Sequence, residues 1–68
     1  MFESMAQKHA RVWRKTDDNA ILEVRPDGDG DSLLLNLPGL GVKPFPINLG
    51  DHVLVTFVGS RVRDVQQL

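Results

Sequence analysis

The chain has no cysteine, no tyrosine, a single tryptophan, and no apolar run near the roughly 20 residues that a membrane-spanning helix requires. Without cysteine there are no disulfide staples and no thiolate metal sites, and the composition fits a reducing, cytoplasmic setting. The opening Met1-Phe2-Glu3-Ser4-Met5-Ala6-Gln7 carries neither the basic nor the apolar region of a cleavable signal. Neither sign of charge dominates: 8 basic residues stand against 9 acidic ones, for a net charge of −1. That balance withdraws the long-range attraction that strongly basic proteins exert on nucleic acid. The GxxxxGK[ST], GxGxxG, GxSxG and HExxH patterns are all missing, and Ser4, Ser32 and Ser60 stand in no nucleophile context. These absences predict a domain that is not an enzyme, binds no cofactor and does not enter a membrane.

What is present is enough apolar material for one core, 41% of 68 residues, arranged with period two. Residues 1–7 read as a tail or short docking segment, and residues 8–68 as a single domain. From Lys8 onward Ala10 and Val12 alternate with His9, Arg11, Trp13 and Lys15, as in a strand with one buried face. Thr16-Asp17-Asp18-Asn19 is turn chemistry, because short polar side chains bond their own backbone there. A second strand follows over residues 20–24 and a third over 33–37, too short before Pro38-Gly39 for a stable helix. Residues 51–58 alternate again, and Gly59-Ser60 predicts a type II′ hairpin into a fifth strand. Five short strands without a substantial helix predict an all-β fold, a small barrel of OB-like or SH3-like type. Its expected core is Val12, Leu22, Val24, Leu33, Leu35, Val53, Val55 and Phe57.

Three segments invite a chemical reading. Asp27-Gly28-Asp29-Gly30-Asp31 alternates carboxylates like a calcium loop, but the sixth and twelfth positions are Ser32 and Pro38 instead of Gly and Glu, so a solvated loop is expected. Asp51-His52 resembles an acid–base pair, yet neighbours on a strand point to opposite faces. His9 and His52 without cysteine are too few for a closed zinc shell. The third segment, Lys8-His9-Ala10-Arg11-Val12-Trp13-Arg14-Lys15, holds four of the eight basic residues and no acid. On a strand, Arg11, Trp13 and Lys15 share a face, a stacking plane between cations suited to single-stranded nucleic acid. Lys8, Arg61 and Arg63 are candidates to extend that patch. The connection over residues 37–47 carries Leu40, Val42 and Phe45, which predict either a segment pinned to the barrel or a contact for a larger protein partner. Sheet edges in so small a barrel also make a homodimer an expected arrangement.

Asn19-Ala20-Ile21-Leu22-Glu23-Val24 and Leu49-Gly50-Asp51-His52-Val53-Leu54-Val55, followed by Arg61-Val62, resemble the second strand, fourth-strand entry and closing strand of the small OB barrels of the S1 and initiation-factor-one kind. The resemblance spans about residues 10–65. It implies contact with single-stranded RNA or the ribosome through exposed strand residues, here Arg11, Trp13, Lys15, Arg61 and Arg63. The chain departs from that family in the connection before Gly50-Asp51, which is basic there and carries a single cation, Lys43, here.

Overall fold

Alternating apolar residues can bury one side of a strand only by laying it against others. The computed structural model, which describes residues 4–28 and 31–68, satisfies this with five strands. They are β1 (Met5–Lys15), β2 (Ile21–Pro26), β3 (Leu33–Asn36), β4 (His52–Val58) and β5 (Arg61–Gln67). Among the described residues the only helical element is a 3-10 turn at Pro38–Leu40, and no helix is long and apolar enough to cross a membrane. The fold is all-β, as the alternation predicts.

All pairings are antiparallel, in the order β3-β2-β1-β4-β5. Because β4 returns to lie beside β1, the spatial order 4-1-2-3 is a Greek key. The sheet curls into a half-barrel with β3 and β5 as its two edges. Inside the curl, Ala10, Val12, Leu22, Val24, Leu35, Leu37, Ile47, Val53, Val55 and Val65 are buried. Six of the eight expected core residues are among them, while Leu33 and Phe57 pack against the core from its margin. Leu40, Val42 and Phe45 of the long connection do the same, so the connection serves as a plug over the open side.

Strand β1 begins at Met5, three residues ahead of the alternation that starts at Lys8. Ala6 pairs with Phe57 and Gln7 with Thr56, and the Gln7 amide donates to the buried Thr56 hydroxyl at 3.3 Å. Small and polar residues carry no apolar signal, so this stretch is invisible to periodicity. Residues 1–3 of the expected tail, and Asp29 and Gly30 of the acidic loop, lie outside the described residues.

Two turns set the register. At residues 16–20 the Thr16 hydroxyl donates to the Asp18 carboxylate at 2.6 Å and that carboxylate accepts the Ala20 N–H at 3.1 Å. Asn19 adopts φ +60°, which asparagine tolerates better than most residues. At the other end of the molecule Gly59 has φ +60° while Ser60 does not turn left-handed, the geometry of the expected II′ hairpin. Each hairpin also contains a bulge. Val12 pairs with Val24 but Arg14 with Glu23, leaving Trp13 as an extra residue in β1. Thr56 pairs with Asp64 but Phe57 with Val62, leaving Arg63 extra in β5.

Candidate functional site

The bulge at Trp13 decides which side chains meet on the outward face. Before it, Arg11 stands directly opposite Arg25 on β2 and His52 on β4, with buried Ala10 and Val12 on the inner face either side. After it, the register has slipped by one, so Arg14 opposite Glu23 takes the outward face and Lys15 falls opposite buried Leu22. The expectation that Arg11, Trp13 and Lys15 share a face is therefore corrected: Arg14 holds the position assigned to Lys15. A bulge re-aims a side chain because two residues must share one partner's space.

Trp13 is 39% exposed, and its ring lies close to two guanidinium groups, Arg25 at 5.2 Å and Arg14 at 5.6 Å from its centroid. These are cation–π distances, and they orient two flexible arginines around one rigid plane. Glu23 holds Arg14 from the other side, 3.9 Å away. The backbone at the bulge is tied on its far side too: the Val12 N–H donates to the Asp51 carbonyl at 2.9 Å, and the Gly50 N–H donates to the Val12 carbonyl at 2.7 Å. Gly50 reaches that position with φ +93°, a conformation closed to ordinary side chains. The turn 48–51 is itself braced by the Asp51 carboxylate, which accepts the Asn48 N–H at 2.9 Å. Asp51 is thus engaged away from His52, as the strand geometry predicts. Beside this frame lies an open depression of about 520 Å³ lined by Arg11, Val12, Trp13, Arg25, Leu49 and Gly50. Leu49, 63% exposed, forms its apolar wall.

Arg11 and Arg25 oppose each other in adjacent strands, and among the described residues no carboxylate lies within ion-pair distance of either. Like charges directly opposite are destabilising in a sheet. An anion placed between two such cations would offset that cost.

The remaining candidates lie elsewhere. Lys8 is opposite Val55 on the inner-face register, with its ammonium 5.9 Å from the Phe57 ring. Arg61 pairs with Val58, which pairs with Met5, six residues along β1 from Arg11 and thus roughly 20 Å away at about 3.3 Å per residue. Arg61 and Arg63 line a separate depression beside Val58 and Val62. Leu40, Val42 and Phe45 spend much of their apolar surface on the core. Among the described residues no three acidic or histidine side chains gather to hold a metal ion.

Sequence reasoning missed Arg14 and Arg25. Counting outward from the turn with unbroken pairing sets Arg25 opposite Val12, on the inner face. Only the extra residue in β1 moves it opposite Arg11. Compared with protein-family models, curated proteins and solved structures, the chain finds no match.

Proposed function

We propose that this chain is a small non-enzymatic binding domain that takes single-stranded nucleic acid, RNA in particular, on the outward face around Trp13. The observation that carries the reading is the half-exposed indole bracketed by Arg14 and Arg25, with Arg11 facing Arg25 across the strand pair. A base offers a π-face to the indole or to the guanidinium planes stacked beside it, and the phosphates on either side of that base meet Arg11 and Arg25. The depression of about 520 Å³ has room for one nucleotide-sized group, and Leu49 covers its apolar edge. A duplex keeps its bases stacked on each other, so this site discriminates for unpaired strands. The Greek-key order and the opening between β3 and β5 support the OB-like reading, since an OB fold is a partly open five-stranded Greek-key barrel. RNA is favoured over DNA by the likeness to the S1 and initiation-factor-one barrels. We place the domain in the cytoplasm, a setting that a cysteine-free composition fits.

Titration of the single Trp with a short single-stranded RNA at low salt tests this. Stacking quenches the indole, and added salt restores the emission as counterions return. The two arginine–phosphate contacts, from Arg11 and Arg25, give a slope of log K on log salt of about −1.4. Unchanged Trp13 emission with both RNA and DNA oligomers at low salt overturns the proposal.

A further inference from the structure

The two edges of the sheet are built differently. The β5 edge is guarded: Arg63 bulges it, and Arg61 and Asp64 put charge along it. Bulges and charges are the usual devices that keep an edge from pairing with another chain. The β3 edge has none of them: Leu33-Leu34-Leu35-Asn36 contains no charge, no proline and no register shift against β2. At its centre Leu34 is 73% exposed, more than any other large apolar side chain among the described residues.

The hydrogen-bonding pattern makes this edge self-complementary. The Leu37 N–H donates to the Ala20 carbonyl at 2.8 Å, which makes Ala20 and Leu37 a directly bonded pair in line with the β2–β3 register. In an antiparallel ladder such pairs alternate, so Leu22–Leu35 and Val24–Leu33 are bonded to β2. The N–H and C=O groups of Leu34 and Asn36 then point outward, as do those of Ser32 one step earlier. Among the described residues no other backbone group bonds to them. These three outward positions are symmetric about Leu34.

We infer that a second copy of this chain pairs with the β3 edge, antiparallel, about a two-fold axis at Leu34. In that register Leu34 bonds Leu34 of the other copy through both its N–H and its C=O, and Ser32 bonds Asn36 of the other copy on each side. Every outward group of the edge is satisfied, and the two exposed leucines cover each other on the outward face. The edge calls for an uncharged strand with an apolar side chain to cover Leu34, and this chain's own β3 supplies both. The axis stands perpendicular to the sheet, so both Trp13 faces lie on one side of a ten-stranded surface. Five strand spacings separate the two β1 strands, roughly 24 Å at about 4.8 Å each.

Light scattering after size exclusion, over a hundredfold range of concentration, tests the pairing. The expected mass is twice the 7.6 kDa of one chain, falling to one chain in Leu34→Lys, whose folding is checked by circular dichroism. Leu34→Cys, in a protein with no other cysteine, should oxidise rapidly to a covalent dimer, because bonded antiparallel pairs hold their Cα atoms about 5.5 Å apart, within disulfide reach. Arg61→Cys on the guarded edge should not. A single-chain mass at the highest concentration overturns the inference, and so does a folded Leu34→Lys that remains dimeric. Equal cross-linking through Arg61→Cys overturns it as well.

Discussion

The two ends of the outward face carry similar residues in different arrangements. Each has a hairpin, a bulge and arginines. At the β4–β5 end Arg61 and Arg63 sit on an edge strand beside Asp64, with no aromatic plane between them. At the β1–β2 end the bulge falls in the central strand, so Arg11, Arg14 and Arg25 converge on Trp13 from two strands while the turn at residues 48–51 closes the third side. Basic residues on a strand are ordinary; they become a site when register stacks them around something rigid. A bulge in a central strand has neighbours on both sides to work with, and a bulge on an edge has one.

The largest effect that can break this comparison comes from beneath the site. Val12 is fully buried, and its backbone N–H and C=O are both bonded to the turn at residues 50–51 beside the bulge. Val12→Ala is expected to cost about 2–3 kcal/mol of stability, read by chemical denaturation, since it leaves a cavity in a small core. A loss below about 0.5 kcal/mol would show that the bulge does not rest on this packing. Next, Trp13→Ala should weaken oligonucleotide binding by about 2 kcal/mol while the protein stays folded. At about 0.15 M salt Arg61→Ala should leave affinity within about twofold, because charges that far away are screened beyond a Debye length of about 8 Å. Equal losses in the two variants would merge the two ends into one patch.

Smaller effects separate the two turns. Gly59→Ala places a side chain at φ +60° and should cost about 1–2 kcal/mol of stability without altering oligonucleotide affinity. The other turn responds to acid instead. The Thr16 hydroxyl, and after it the Ala20 N–H, holds the Asp18 carboxyl below its ordinary value of 3.8. A carboxyl lowered in the folded state stabilises fully above its unfolded value, and that contribution is lost as pH falls through the folded one. Melting curves of wild type and Asp18→Ala should therefore differ at neutral pH and draw together below about pH 4. A constant gap across that range would mean that Asp18 acts there without its charge.

Much of this was legible in the sequence, and the limit is physical. Alternation exposed strands and core alike, because period two is the signature of a half-buried sheet and needs no knowledge of partners. Leu37, Ile47 and Val65 are buried but lie outside the expected core: Leu37 and Ile47 bound the long connection, and Val65 stands opposite Val55 on β5. Within the site, Arg11 and Trp13 could be seen together, whereas Arg25 could not. Lys15 was assigned to the wrong face for the same reason: the extra residue in β1 reverses every assignment beyond it.

The chain's residues by themselves determined that there would be five strands, where the Gly59-Ser60 hairpin would turn, and that a basic, aromatic stretch would lie in the first strand. Those properties are local, set by backbone conformation and by which residues avoid water. Tertiary structure decided that β4 would return beside β1, that Arg25 would face Arg11 instead of Val12, and that Lys8 and the Arg61–Arg63 pair would stand apart from Trp13. Register across strands depends on how two bulged strands share one core, and no single stretch of sequence contains that information.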